Sequence, residues 1–198
     1  MKPNKILVKG KNYFAWDAYE EQTQIKHKVL KEYFYVYASK IGSWANPHFF
    51  DCHGGSGAYF ANNTLSFGSS ILAWEAANDP KIANRSTKVW ISVCEKDKEN
   101  YDNICKVITD NNITARINKY NLDFNEALQD PYVKAQYTFN PTLFLIDPFG
   151  FDLVMKNFKG LLQNMTNNTK ECKGNELIIN FMYNSINQWL SAPSVDRT

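Results

Sequence analysis

His48-Phe49-Phe50-Asp51-Cys52-His53-Gly54-Gly55-Ser56-Gly57-Ala58-Tyr59-Phe60 is an apolar strand end that runs into an acid and then a glycine-rich turn. Glycines at such a turn permit positive φ and leave backbone N–H groups open to another molecule. In a nucleotide-type α/β fold this pattern stands at the carboxyl end of the first strand, beside the ligand crevice. Alone, it also fits a loop that merely turns. Its weight depends on the strand ends that follow.

Upstream, Asp17 to Ile41 reads as a long amphipathic helix. Ile25, Val29, Tyr33 and Tyr37 recur at four-residue steps, with Leu30 and Phe34 widening the apolar face, and Gly42 supplies a stop. Lys26-His27 lies within it, by periodicity a solvated charge beside a partly buried histidine. Downstream, Tyr59 to Ser69 reads as a loop. Gly68-Ser69-Ser70 then opens a helix through Asn78, with Ser69 or Ser70 as N-cap, ended by Asp79-Pro80.

Three more strands follow. Lys88 to Cys94 is apolar enough for a buried parallel strand and ends in Glu95-Lys96. An acid there can accept from ribose hydroxyls or complement the dipole of the helix from Lys98 to Ile108. Ala115 to Tyr120 ends in Asp123-Phe124, where the acid suits an exocyclic amine and the ring a base; a plain N-cap is the rival role. Pro141 to Ile146 delivers Asp147-Pro148-Phe149-Gly150, and the proline ends the strand so that Asp147 is presented at the sheet edge. A carboxylate among aromatics can hold a planar, amine-bearing base. A helix from Asp152 to Asn164, a fifth strand from Glu176 to Phe181, a helix or loop from Met182 to Leu190, and a polar tail from Ser191 to Thr198 complete the chain.

Strands alternating with helices imply a mostly parallel sheet with right-handed crossovers and helices on both faces, a Rossmann-like α/β fold. The expected organisation is an N-terminal helical segment over 1–45, a core over 46–190 and a tail over 191–198. With 198 residues and 44% hydrophobic content, one packed domain is expected. A formal charge of +2 gives no bulk signal for nucleic acid, so such contact would need a local patch. Cys52, Cys94, Cys105 and Cys172 form no Cys-x-x-Cys pair, which points to reduced thiols and no zinc site. The start shows no secretory pattern and no apolar run is long enough to span a bilayer, so a cytoplasmic protein without membrane contact is expected.

The four strand ends in order resemble the class I methyltransferase fold, and more closely the three-Cys-motif partner protein family. The resemblance rests on Lys26-His27, Asp51 through Gly57, Gly68-Ser69 and Asp147-Pro148-Phe149-Gly150. Asp51-Cys52-His53-Gly54-Gly55-Ser56-Gly57-Ala58-Tyr59 is also similar to the turn of ribosomal RNA adenine-N6 methyltransferases. The resemblance implies S-adenosylmethionine as cofactor and an amine of a nucleic-acid base as acceptor. Asp51, Cys52, His53, Gly54, Gly55, Ser56, Gly57 and Tyr59 would line the methionine side, Glu95 and Lys96 the ribose, and Asp123 and Phe124 the adenine. Asp147, Pro148, Phe149 and Gly150, with Lys26 and His27, would face the acceptor. Phe149 stands where amino-methyltransferases carry a second proline, and Gly150 where they carry an aromatic. The chain also ends soon after its fifth strand, so the terminal strands of fold relatives either lie outside this stretch or are replaced. The alternative is therefore a methyltransferase-like binding component of a defence or modification complex, with a protein partner covering the sheet edge. A nicotinamide-dependent oxidoreductase is the third option, but it gives the Asp-Pro-Phe-Gly turn no role.

Overall fold

The computed structural model describes residues 4–83, 88–113, 116–147, 159, 161–163 and 174–180. Its centre is a five-stranded parallel sheet of β3 (His48–Asp51), β6 (Trp90–Cys94), β7 (Ile117–Tyr120), β8 (Thr142–Ile146) and β9 (Glu176–Ile179), in the order β7-β6-β3-β8-β9. The chain steps outward from β3 to β7 and then returns to β8 on the other side of β3. That reversal opens a crevice at the carboxyl ends of β3 and β8, the place where such sheets bind ligands. The α/β, Rossmann-like expectation holds.

Every residue of β3 and β8 is buried, as expected of strands covered on both faces. Alternation sends Phe49 to one core, where it meets Phe34 edge-to-face, and Phe50 to the other, against Phe144. His48 is accommodated by bonds across the sheet: Nε2 lies 2.9 Å from Ser92 Oγ and Nδ1 3.2 Å from Thr142 Oγ1. Helices α1 (Glu21–Ile41), α2 (Ser69–Ala77) and α4 (Lys98–Asp110) supply residues to the first core; α5 (Phe124–Gln129) and α6 (Pro131–Phe139) supply the second. The short α3 (Pro80–Ala83) adds Ile82 to the first.

Several expectations are corrected. The buried face of α1 is His27, Leu30, Phe34, Tyr37, Ala38 and Ile41, whereas Ile25, Val29 and Tyr33 are 56%, 60% and 43% exposed. Two interleaved stripes share this helix, and on the inward one Tyr19 satisfies the buried imidazole. The expected loop after Tyr59 is a hairpin of β4 (Ala58–Ala61) and β5 (Thr64–Phe67). Asn62 and Asn63 turn it at φ 52° and 57°, the left-handed pair of a tight hairpin. It joins β1 (Lys5–Leu7) and β2 (Phe14–Trp16) in a second sheet, β1-β2-β4-β5, so strands precede α1. The N-cap of α2 is Gly68, not a serine, because Ser69 turns its hydroxyl to Asp51. Helix α6 was not expected, although Asp130 caps it through Tyr132 N and Val133 N ahead of Pro131. Pro148, Phe149, Gly150, Phe151, Cys172, the start of the Asp152 helix, the segment from Met182 and the tail from Ser191 lie outside the described residues.

Candidate functional site

The parallel register sets Asp51 opposite Leu145, so the chain leaves β3 and β8 side by side and Asp51 and Asp147 flank the crevice. Asp51 is fully buried, its Oδ1 accepting from His53 N at 3.2 Å and its Oδ2 from the Ser69 hydroxyl. Burial pushes its pKa up to about 6, with those two bonds pulling back. Asp147 is held from two sides: Lys26 Nζ pairs with Oδ2, and Asn180 Nδ2 donates to Oδ1 at 2.6 Å. Asn180 was missed because its role depends on β9 lying beside β8. The register Ile146↔Ile179 makes Asp147 and Asn180 the first residues past adjacent strands.

Two of the turn's glycines serve the protein's own packing and one faces open space. Gly57 has φ 80°, and a methyl there would meet Ile104 Cγ1 of α4 at 2.7 Å; Gly54 is likewise closed off by Val93. Gly55 has φ 61°, yet a methyl there would meet nothing within 4 Å, so its outer side faces open space. Its N–H donates to Glu95 Oε2 at 2.8 Å, while Glu95 Oε1 accepts from Asp97 N at 2.8 Å. Glu95 therefore braces the turn, a role beside the ribose contact and the helix-dipole role expected of it. Burial raises its pKa. Asn103 of α4 fixes the turn from beneath, donating to Ser56 O and Phe14 O at 2.8 Å each. Ser56 itself is buried, and its hydroxyl donates to Ala58 O.

The other expected residues divide. Lys96 is exposed at the end of β6, and its carbonyl accepts from Asn121 Nδ2 at 3.2 Å. Asp123 caps α5 in a capping box with Glu126, and Phe124 is buried in the second core with its ring 5.7 Å from that of His53. Asp123 thus realises the capping role, and the Phe124 ring is committed to packing. Cys52 and Cys94 are buried, and burial pushes the Cys94 thiol up to about 12 and that of Cys52 well above its usual value, which makes both poor nucleophiles. His53 Nδ1 and Ser70 Oγ are buried with no hydrogen-bond partner among the described residues.

On the α1 side, His27 is 3% exposed, and burial with the Lys26 charge lowers its pKa to about 4, so it is neutral. Its Nδ1 lies 2.9 Å from the Tyr19 hydroxyl, and both rings meet Tyr59. Tyr19 gave no periodic signal in the sequence. A separate open depression of about 570 Å³ is lined by Leu122, Asn125, Glu126, Gln129 and Asp130. Glu126 and Asp130 serve as helix-capping groups there, which accounts for them without chemistry. Among the described residues no His, Cys, Asp and Glu cluster could hold a metal ion, and no helix is long and apolar enough to cross a membrane.

No family model and no curated protein matches the chain. Among solved structures it is similar to a Legionella pneumophila protein at TM-score 0.45 and 14% identity, over 83% of this chain and 72% of that one. A methyltransferase from Geobacter sulfurreducens matches at TM-score 0.48 and 14% identity, over 82% and 61%. A SAM-dependent methyltransferase from Agrobacterium tumefaciens matches at 0.49 and 10%, over 90% and 52%. These likenesses concern backbone architecture and assign this chain no reaction.

Proposed function

We propose that the protein is an S-adenosylmethionine-dependent methyltransferase, working in the cytoplasm on an amine of a nucleic-acid base. The observation that carries this reading is the placement of Asp51 and Asp147 at adjacent strand ends where the sheet order reverses, with the glycine turn between Asp51 and the first core. The cofactor supplies an electrophilic methyl group when bound. Asp51, Ser69 and the open side of Gly55 would hold its methionine portion, and Glu95 its ribose. Asp147, oriented by Lys26 and Asn180, would accept a hydrogen bond from the acceptor amine and align its lone pair. Transfer of this kind depends on positioning, which a carboxylate pinned from two sides provides. The three-Cys-motif partner and adenine-N6 methyltransferase resemblances belong to this proposal and are supported by Lys26-His27 and Asp51 through Tyr59.

A second reading, a methyltransferase-like binding component of a larger complex, draws on the same Asp147. Both its oxygens already have partners, so a substrate amine must compete for them. Calorimetric titration of the full chain with S-adenosylhomocysteine bears on the enzymatic reading first, since the second expects weak or absent binding. Saturable one-to-one binding is expected, and its absence from folded protein overturns the enzymatic one. Methyl transfer from radiolabelled cofactor to pooled RNA or DNA separates them.

A further inference from the structure

We propose that Tyr19 and Tyr59 form a stacking shelf for a planar aromatic ring, a nucleobase, at the mouth of the crevice that ends on Lys26 and Asp147; this rests on the methyltransferase reading. The two rings come from distant elements. Tyr19 lies just before α1, and Tyr59 lies on β4 directly after the glycine turn. The parallel pairing of β2 with β4 at Trp16↔Tyr59 brings those two stretches together.

The rings are fixed in place. Their centroids are 5.0 Å apart at an interplanar angle of 30°, a tilted stack. The Tyr19 hydroxyl lies 2.9 Å from His27 Nδ1, and the Tyr19 carbonyl accepts from Gln24 Nε2 at 2.6 Å. His27 in turn meets Tyr59 edge-on, at 5.5 Å and 69°. A buried imidazole held against two phenols is a rigid anchor, and Tyr19 and Tyr59 are each half-buried as residues. Rings held in advance lose little freedom when a base stacks on them.

The shelf also belongs to the crevice. Burial raises the Tyr59 phenol, and the charges of Asp147 and Asp51 add to it. His27 follows Lys26 in α1, and Lys26 reaches Asp147. A base stacked on this shelf would therefore present its edge toward the carboxylate that orients the amine. Such stacking is tolerant of base identity, since every base has a π-face.

The test uses the full chain with two probes, adenosine and a short single-stranded RNA carrying one 2-aminopurine, each with and without S-adenosylhomocysteine. Stacking quenches the 2-aminopurine fluorescence. The unaltered protein is expected to bind at least one probe, and Tyr19→Leu to weaken that binding by about tenfold or more. Tyr19→Leu should leave S-adenosylhomocysteine binding intact, a split that a purely structural role would not produce. Tyr19→Phe loses the same hydroxyl as the leucine variant but keeps the ring face, and is expected to bind as the unaltered protein does, which separates loss of the His27 contact from loss of the ring. Loss with adenosine shows that the shelf takes the free base; loss with the RNA alone shows that it takes a base within a strand. Tyr19→Leu binding like the unaltered protein, Tyr19→Phe failing like leucine, or no binding of either probe would overturn the shelf. Absence of S-adenosylhomocysteine binding with Tyr19-dependent probe binding intact would remove the methyltransferase reading and leave the shelf standing.

Discussion

Asn180 donates through Nδ2 to Asp147 Oδ1 at 2.6 Å, from the residue that follows β9 to the residue that follows β8. Its backbone N–H also bonds Ile146 O at 2.9 Å, so its position is set by the sheet itself. Lys26 takes the other oxygen of the same carboxylate. Asn180→Ala should leave S-adenosylhomocysteine affinity within about threefold and lower methyl transfer by about ten- to hundredfold, the loss expected when a positioned group loses its support. Asn180→Asp sets a second carboxylate against the first and should be worse. Single-turnover assays beside calorimetry check this split. Equal loss of binding and turnover would instead place Asn180 in the cofactor's own contacts.

Gly55 and Gly57 should respond differently to the same alanine substitution. At Gly57 the methyl enters the Ile104 side chain at 2.7 Å, with φ at 80°. Overpacking and backbone strain together cost about 2–4 kcal/mol there, so Gly57→Ala should lower the melting temperature sharply. At Gly55 the methyl meets nothing within 4 Å, leaving only the strain of φ 61°, about 1–2 kcal/mol. Gly55→Ala should fold, yet lose cofactor binding by occupying the space where a ligand would approach. Thermal melts of both variants with and without S-adenosylhomocysteine distinguish the two outcomes.

Asp51 gives the site a pH signature. Burial raises its pKa from 3.8 to about 6 in the folded state. The folded protein therefore binds this proton more tightly than the unfolded chain, and stability falls as pH rises from about 4 to about 6. Above that window the buried carboxylate costs the fold about 3 kcal/mol. His27 and His48 act oppositely, since burial lowers them from 6.5 to about 4 and about 3. Their contribution is present above 6.5 and is lost as pH falls toward those values. Asp51→Asn should raise the melting temperature above about pH 6, with a gain that shrinks toward pH 4, while weakening cofactor binding. A pH series of melts on the two proteins reads it directly, and a constant offset at every pH would refute the buried-carboxylate account.

The parts of this molecule legible in the sequence are those set by local rules. Thr142–Ile146 and Trp90–Cys94 read as buried strands because their apolar runs leave no solvent face, and acids or glycines mark their ends. The hairpin at Asn62-Asn63 carried a two-residue turn signal, but it sat inside what read as a plain loop. Helix α1 misled because Ile25, Val29 and Tyr33 form a second largely apolar stripe beside Leu30 and Phe34, and the partner that lets His27 be buried, Tyr19, lies outside the helix. Within the candidate site, Asp51, Glu95 and Asp147 announced themselves by standing at strand ends. Asn180, Ser69 and Tyr19 did not, since each acts through a residue 33, 18 or 8 positions away that only the fold brings near.

Glu95 offers the sharpest separation of bracing from binding. Its two oxygens accept from Gly55 N and Asp97 N, each at 2.8 Å, so the carboxylate clips the glycine turn to the start of α4 before any ligand arrives. In Glu95→Gln the amide keeps one acceptor and turns a donor toward the other N–H, leaving that N–H unpaired. A half-buried donor stripped of its partner costs about 1 kcal/mol. The ligand-free protein should therefore melt several degrees lower for a domain of this size. S-adenosylhomocysteine affinity should fall by about tenfold, because the turn loses its brace and the ribose loses a charged acceptor. Were Glu95 only a ribose ligand, the ligand-free melt would be unchanged and the whole effect would appear in binding.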